Sequence, residues 1–258
     1  MAATRRRIGT RAENRGIIPA TPKAVKPSRR AGRPIRLHPA PRGISPRLTE
    51  TRFAVSSKPS NPFRKAQFLT SANKLVQLPP DTGNEVAFAG RSNAGKSSAL
   101  NAICDQQGLA RTSKTPGRTQ LLNVFPVDDP ARRLIDLPGY GYAKVPEAMR
   151  MHWRGVIDTY LRTRESLKGL VLVMDARHPL KDFDCHMLEF GAASGRACHC
   201  LLTKSDKLSR SEGLRTLAAV NKEIATIAPG ASAQLFSSLA KSGLDEARAL
   251  VARWLELP

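Results

Sequence analysis

Several kinds of sequence signal are scarce in this chain of 258 residues, and each absence excludes a class of protein. No stretch approaches the roughly 18 apolar residues of a transmembrane helix, so we expect no membrane span. The arginine run at residues 5–7 is not followed by an apolar segment, so we expect no secretory signal. The four cysteines lack zinc-type or C-x-x-C spacing, and we interpret them as reduced thiols of a cytosolic protein. A metal site at Cys198 and Cys200, which alternate as on one face of a strand, is the second choice.

Acidic and aromatic residues are especially scarce at the start of the chain. Residues 1–60 contain 12 Arg and 3 Lys against two Glu, so this segment carries +13 of the net charge of +21. It also holds eight prolines, with Phe53 as its one aromatic residue. Such a segment cannot bury enough apolar surface to offset its ordering entropy. We therefore predict a basic, Pro/Arg-rich disordered extension over residues 1–60 and one α/β domain over residues 61–258.

A strongly basic extension is typical of polyanion binding. A solvated tail without function, an early assigned start codon and an organelle transit peptide are alternatives. The many prolines would break the amphipathic helix of a transit peptide, so we favour a bacterial extension over a targeting role.

The most informative motif is at residues 90–97, which fit G-x-x-x-x-G-K-[ST] and predict a phosphate-binding loop. A short apolar run at residues 85–89 is typical of a buried strand, and residues 98–104 can continue as a helix. Lys96 would reach the β- and γ-phosphate oxygens, and the Ser97 hydroxyl would bind Mg²⁺. The candidate phosphate-binding residues are Gly90, Arg91, Ser92, Asn93, Ala94, Gly95, Lys96, Ser97 and Ser98.

A second motif, T-K-x-D, follows a predicted strand at residues 198–202. In an open α/β sheet, ligands bind at this end of the strands. The carboxylate of Asp206 can accept hydrogen bonds from N1–H and the 2-amino group of guanine, a donor pair that adenine lacks. With a phosphate loop upstream, the motif predicts GTP. The candidate base-binding residues are Thr203, Lys204, Ser205 and Asp206, with Phe236, Ser237 and Ser238 near the guanine O6.

Two further elements lie between these motifs in the order expected of a GTPase. In the D-x-x-G sequence, Asp136 would hold Mg²⁺ through water and the Gly139 N–H would contact the γ-phosphate. Thr119 is the candidate for a second Mg²⁺-binding hydroxyl, with Thr115 as the alternative. The candidate residues of these two loops are Gly117, Arg118, Thr119, Gln120, Leu121, Asp136, Leu137, Pro138 and Gly139.

The chain resembles the EngB (YihA/YsxC) family of ribosome-biogenesis GTPases, a branch of the TRAFAC P-loop GTPases. The matching sequences are G-R-S-N-A-G-K-S-S-A-L-N, T-P-G-R-T-Q, D-L-P-G-Y-G-Y-A, T-K-S-D and F-S-S. The block at residues 136–143 is the most discriminating, because generic GTPases share only its Asp and Gly. The similarity covers residues 61–258. It implies a bacterial-type, Mg²⁺-dependent GTPase that acts in assembly of the large ribosomal subunit, with rRNA as the partner of the basic extension.

Hydrolysis is expected to be slow in the isolated protein. Tyr140 follows Gly139, where many switch GTPases carry a water-orienting Gln, so we expect turnover of about 10⁻⁴ to 10⁻² s⁻¹. Arg118 is a candidate for an arginine finger in cis. Asn93 occupies the loop position at which potassium-activated GTPases bind K⁺, and a turn-favouring asparagine is the open alternative. The candidate catalytic residues are Lys96, Thr119, Gly139 and Asn93, with switch regions at residues 106–120 and 140–145.

The alternation of strand and helix signals predicts a three-layer, doubly wound, mostly parallel α/β sheet. A long helix is predicted over residues 146–167, and a central parallel strand over residues 170–175. We interpret Asp175 and Arg177, at the end of that strand, as a structural pair. The buried stripe of the long helix is predicted to be Trp153, Val156, Ile157, Tyr160 and Leu161.

The last predicted helix begins at a capping sequence, in which Ser242 pairs with Asp245. Its apolar face is predicted to be Leu244, Ala247, Leu250, Val251, Trp254 and Leu255.

Four functions are compatible with these motifs. The first is a GTP-dependent ribosome-assembly switch that acts as a cytoplasmic monomer without a membrane. The others are a related GTPase in tRNA modification or membrane-linked transport, a nucleic-acid-binding module with a vestigial nucleotide site, and a P-loop kinase. An active nucleotide site is favoured because its key residues are intact, namely Lys96, Ser97, Asp136 and Asp206. The T-K-x-D motif argues against a P-loop kinase.

Overall fold

The computed structural model describes residues 61–110, 121–140 and 147–257, without the side chains of residues 147–154. The predicted extension over residues 1–60 lies outside these ranges and stays a prediction. The described elements, in chain order, are β1 (Thr70–Ala72), β2 (Asn84–Gly90), α1 (Lys96–Cys104), β3 (Leu122–Pro126), β4 (Arg132–Asp136), α2 (Glu147–Thr163), β5 (Leu167–Asp175), α3 (Asp182–Ala193), β6 (Ala197–Thr203), α4 (Arg210–Ile227), β7 (Ser232–Leu235) and α5 (Leu244–Leu255). Short 3₁₀ turns occupy Pro62–Lys65, Leu75–Gln77 and Ser205–Lys207.

The strands form one mixed sheet in the order β1-β3-β4-β2-β5-β6-β7. The pairing is parallel from β4 through β2, β5 and β6 to β7. Strand β3 runs antiparallel to both β1 and β4. Because the five parallel strands point the same way, their carboxyl ends meet at one edge of the sheet, where ligands bind in folds of this class.

Helices cover both faces of the sheet. Helices α2, α3 and α4 pack in one hydrophobic core, and α1 and α5 pack in the other. Strand β5 supplies both cores, since Leu170 and Leu172 lie in the first and Val171 and Val173 in the second. A strand buried on both faces is typical of a central parallel strand. The predicted three-layer, doubly wound, mostly parallel fold is confirmed.

The predicted long helix is wrong at its carboxyl end. Helix α2 ends at Thr163, and β5 follows soon afterwards, within the range assigned to the helix. The backbone amides of Glu165 and Ser166 donate to the Asp81 carboxylate at 3.0 and 2.8 Å. These amides would otherwise continue the helix, and each backbone N–H needs its acceptor. A contact so distant in sequence leaves no local signal.

The apolar stripe of α2 is confirmed where its side chains are described. Tyr160 and Leu161 are buried, and Val156 and Ile157 are partly buried. The side chain of Trp153 lies outside the described part.

The predicted start of α5 is also wrong, because Ser242 is not its cap. The N-cap is Gly243, with φ of 70° and no side-chain capping bond. A Cβ at this position would lie 2.1 Å from the Leu235 carbonyl oxygen, so the tight passage against β7 requires glycine. The predicted apolar face is confirmed: Leu244, Ala247, Val251 and Leu255 are buried, and Leu250 and Trp254 are partly buried.

A buried ionic network lies at the start of β2, at the opposite edge of the sheet from the carboxyl ends. Glu85 is fully buried and accepts hydrogen bonds from Arg133 Nε at 2.8 Å and Arg164 Nη2 at 2.8 Å. The Tyr160 hydroxyl donates to the other carboxylate oxygen at 2.9 Å. This network joins β2, β4 and the end of α2. Breaking such a network costs stability, because a charge is left buried without its partner.

We predict that Glu85→Gln lowers the free energy of unfolding by about 3–5 kcal/mol, since two largely buried guanidinium groups lose their neutralising charge. Urea denaturation of the full chain measures this loss. The matched control is Asp158→Asn, which removes an exposed pair with Arg162 at 3.2 Å. That substitution should cost under about 0.5 kcal/mol. Equal losses of unfolding free energy in the two variants would contradict a stabilising role for the Glu85 network.

Candidate functional site

The loop between β2 and α1 turns through left-handed backbone positions. Asn93 has φ of 62° and Gly95 has φ of 97°. A Cβ at Gly95 would lie in ordinary contact with Thr203, 3.4 Å from its Oγ1, so it is the left-handed backbone that favours glycine at this position. Helix α1 begins at the next residue, and the N–H groups of a helix start favour anions. The strand–loop–helix context predicted for residues 90–97 is confirmed.

Lys96 and Asp136 form an ion pair between the first residue of α1 and the last residue of β4. Their side chains are 8% and 2% exposed. A buried ammonium and a buried carboxylate are tolerated only when each neutralises the other. The structure therefore brings together two predicted site residues that are far apart in sequence.

The end of β6 is joined directly to the phosphate-binding loop. The Thr203 hydroxyl lies against the Ala94 carbonyl oxygen and within 2.9 Å of the Met174 carbonyl oxygen. Lys204 Nζ donates to the Asn93 carbonyl oxygen at 2.7 Å. These contacts cross about a hundred residues of sequence and fix the loop against the sheet edge.

Asp206 is held by a neighbouring serine. The Ser237 hydroxyl donates to Asp206 Oδ1 at 2.6 Å, and the Ala240 amide donates to the same hydroxyl oxygen at 3.0 Å. The hydrogen bond from Ser237 holds the pKa of Asp206 below its usual value, so the carboxylate stays ionised at neutral pH. The two segments are also tied through the backbone, since the Ser205 amide donates to the Phe236 carbonyl oxygen at 3.2 Å. The T-K-x-D and F-S-S segments are therefore held side by side by side-chain and backbone hydrogen bonds.

The predicted pair of Asp175 and Arg177 is confirmed, and Asp175 also has a second cationic partner. Arg177 donates to both carboxylate oxygens, at 2.9 and 2.7 Å. Lys204 Nζ donates to the same carboxylate at 3.0 Å. The hydrogen bond from Arg177, reinforced by Lys204, holds the pKa of Asp175 well below its usual range. The sequence did not show that this pair fixes the lysine of T-K-x-D.

The residues after β4 run beside the phosphate-binding loop. Leu137, Pro138 and Gly139 are buried. The Tyr140 amide donates to the Gly90 carbonyl oxygen at 3.3 Å, and its carbonyl oxygen accepts from the Ser92 amide at 2.8 Å. The D-x-x-G segment is therefore in backbone contact with the loop.

Asp184 of α3 is a residue that the sequence analysis missed. It accepts a hydrogen bond from the Tyr140 hydroxyl at 2.9 Å. Its only sequence signal is a position in the acidic first turn of a helix, which is common in surface helices as well.

Other predicted site residues fall into four groups. Ser97 and Ser98 lie partly buried in the first turn of α1, and Ser238 is partly buried beside Ser237. Leu121 directly precedes β3. Gly117, Arg118, Thr119 and Gln120 lie outside the described residues, as do residues 141–145 of the predicted second switch.

The cysteines do not support the second-choice metal site. All four are free, and Cys198 and Cys200 are buried in β6. Burial raises the pKa of the Cys198 thiol to about 11, which disfavours the thiolate that a metal would need. Within the part of the chain that the structure describes, no three His, Cys, Asp or Glu side chains cluster as metal ligands.

The fold and the site together define a P-loop GTPase domain. The family of 50S ribosome-binding GTPases matches residues 85–204. A probable GTP-binding protein EngB of Aromatoleum aromaticum is 57% identical over 196 residues, which cover 76% of this chain and 90% of that protein. The protein of the same name from Stenotrophomonas maltophilia is 56% identical over 76% of this chain and 98% of its own length.

The chain belongs to the EngB family of GTP-binding proteins and is a GTP-hydrolysing enzyme. A crystal structure of a probable GTP-binding protein engB has the same fold, with a TM-score of 0.52 and 19% identity. It covers 67% of this chain and 100% of that one. Among the described residues, none of the helices combines the length and the apolar character that a membrane crossing needs.

Proposed function

We propose that this chain is a GTP-dependent switch in assembly of the large ribosomal subunit, acting in the cytoplasm as a monomer. The family that it matches is described by its binding to the 50S ribosome. The observation that carries the proposal is the contact of Thr203 and Lys204 with the phosphate-binding loop, because it joins a base-reading element to a phosphate-binding one. A site that reads both ends of a nucleotide can couple its hydrolysis state to the surrounding loops.

Guanine is read by the carboxylate of Asp206. Ser237 uses only Oδ1 of this carboxylate, and the group has acceptor capacity for two further N–H donors. The stem of Lys204 lies along the base, and its ammonium group stays fixed by Asp175 and Asn93. Ser205, Phe236 and Ser238 complete the pocket around the base.

Ser97, Thr119 and Asp136 are the residues that would hold Mg²⁺. Hydroxyl and carboxylate oxygens are the ligands that this hard cation prefers. The buried carboxylate of Asp136 is paired with the ammonium of Lys96, and a buried carboxylate next to a cation supports this assignment. Bound Mg²⁺ supplies charge neutralisation at the β- and γ-phosphates. With the ion bound, Lys96 would bind the phosphate oxygens and the amide of Gly139 would donate to the γ-phosphate.

Intrinsic hydrolysis is slow because no side chain next to Gly139 orients the attacking water. The Tyr140 hydroxyl is committed to Asp184, so it does not replace a water-orienting glutamine. Arg118 is the candidate that would add positive charge in cis. It lies with Gly117, Thr119 and Gln120 in the segment proposed as the first switch.

Asn93 would bind K⁺ beside the phosphates, and this ion would supply positive charge that the site otherwise lacks during hydrolysis. The left-handed backbone of Asn93 and the hydrogen bond from Lys204 Nζ to its carbonyl oxygen fix its position in the loop. We predict that turnover in KCl is about tenfold faster than in NaCl, a difference of ~1.4 kcal/mol in barrier. Steady-state phosphate release measures it. Asn93→Ser should remove the difference while GDP binding persists, whereas equal rates of the wild type in the two salts would refute the K⁺ site.

Residues 1–60 form a basic extension that binds rRNA phosphates, and residues 61–258 form the GTPase domain. Arginine-rich contacts to phosphates give affinity that falls steeply with salt and is indifferent to the bound nucleotide. Binding by the extension can therefore be separated from binding by the switch.

The test is co-sedimentation of the full chain with purified large ribosomal subunits. We predict retention with a non-hydrolysable GTP analogue and release with GDP at moderate salt. Asp206→Asn is the control variant, because it should lose the response to guanine nucleotides while its basic extension stays intact. Equal, salt-sensitive retention in both nucleotide states would overturn the proposed switch and leave only electrostatic RNA binding.

A further inference from the structure

Tyr140 is anchored on its side-chain end by helix α3. Its ring stacks on Phe183, with centroids 5.0 Å apart and planes 20° from parallel. Its hydroxyl donates to Asp184 Oδ1 at 2.9 Å. The residue is only 8% exposed, so these contacts are shielded from water. A buried hydrogen bond to a carboxylate is stronger than its exposed counterpart.

Asp184 is a rigid anchor because its two carboxylate oxygens have different partners. Oδ1 accepts from Tyr140, and Oδ2 accepts from the Lys181 amide at 3.1 Å at the start of α3. The residue is 1% exposed. Burial raises the pKa of the Tyr140 hydroxyl, so it remains protonated and continues to donate.

The backbone end of Tyr140 is fixed by the phosphate-binding loop itself. Its amide and carbonyl groups bond to Gly90 and Ser92, which places the preceding peptide beside the loop. The amide of Gly139 belongs to this segment, and it is the group that meets the γ-phosphate in the proposed function. Tyr140, which is anchored on α3, therefore directly follows Gly139, whose amide is proposed to contact the γ-phosphate.

We infer that Asp184 and Tyr140 are positioning residues that hold the Gly139 amide in place for the γ-phosphate and so favour GTP over GDP. This inference rests on the proposed function. GDP has no γ-phosphate, so the anchor contributes to binding of the triphosphate alone. Neither side chain touches the nucleotide; both act through the backbone of the D-x-x-G segment.

The chain contains a matched control for this bond. The Tyr160 hydroxyl also donates to a buried carboxylate at 2.9 Å, but its partner Glu85 lies at the start of β2, away from the loop. Tyr140→Phe and Tyr160→Phe each remove one hydroxyl and one buried hydrogen bond. Both should lower the thermal midpoint of the nucleotide-free protein, so a general loss of stability affects them alike.

The measurement is equilibrium binding of fluorescent GDP and of a fluorescent non-hydrolysable GTP analogue to the full-length variants. Tyr140→Phe should weaken binding of the analogue about fivefold and leave GDP binding within about twofold. Tyr160→Phe should leave the ratio of the two affinities unchanged. Asp184→Asn should shift the ratio in the same direction as Tyr140→Phe, because an amide oxygen can replace only one of the two acceptors.

Two outcomes would contradict the inference. The first is an unchanged ratio of the two affinities in both Tyr140→Phe and Asp184→Asn, whether or not the two nucleotides lose affinity equally. The second is the same shift in Tyr160→Phe, which would assign the effect to stability. A wild-type chain that binds neither nucleotide would instead overturn the proposed function.

Discussion

The contact between the end of β6 and the phosphate-binding loop is the constraint on which the site depends. Thr203 holds the Ala94 carbonyl group, and Lys204 holds that of Asn93. Without these bonds, the left-handed backbone of the loop would have to be stabilised from within its own short sequence. The contact also sets the distance between Asp206, the carboxylate that we propose reads the base, and the phosphate-binding loop. One pair of neighbouring residues therefore joins the two halves of the proposed nucleotide site.

The two edges of the parallel sheet have different roles. At the amino ends of the strands, Glu85 is enclosed by two arginines and a tyrosine, and this closed network stabilises the fold. At the carboxyl ends, Asp136 is paired with Lys96 and lies beside a loop. Asp206 accepts from Ser237, has Lys207 Nζ 3.7 Å from its other carboxylate oxygen, and also lies beside a loop. Charges that are fully enclosed serve structure, whereas charges with remaining acceptor capacity are available to a ligand. The fold thus separates its stability from its chemistry.

Local patterns predict much of this molecule. The continuous apolar run of β5 and the strand–loop–helix sequence around Lys96 each determine their element without long-range information. The errors arise where a distant group intervenes. The carboxylate of Asp81 binds the amides that follow α2, so the helix ends earlier than its apolar periodicity indicates. The carbonyl of Leu235 leaves no room for a side chain at position 243, so the cap of α5 is Gly243 and not Ser242. A residue such as Asp184 cannot be found in this way, because its meaning depends on a tyrosine 44 positions away.

The site likewise combines features that local sequence predicts with contacts that depend on distant residues. The motifs identify Lys96, Asp136 and Asp206 by residue type and spacing. They do not show that Lys96 and Asp136 are paired, or that Ser237 holds Asp206. Such contacts are set by how the strands are ordered in the sheet, which no single motif encodes.

The guanine specificity assigned to Asp206 is tested most directly by comparing the binding of GDP and of xanthosine diphosphate to the wild type and to Asp206→Asn. The wild type should prefer GDP, and the variant should lose about a hundredfold or more of its GDP affinity, because two hydrogen bonds to a charged group are lost. The variant should gain affinity for the xanthine nucleotide, whose 2-oxo group accepts from the new amide. Asp245→Asn, which changes an exposed carboxylate on α5, should leave both affinities unchanged. Unaltered GDP affinity in Asp206→Asn would contradict the guanine site.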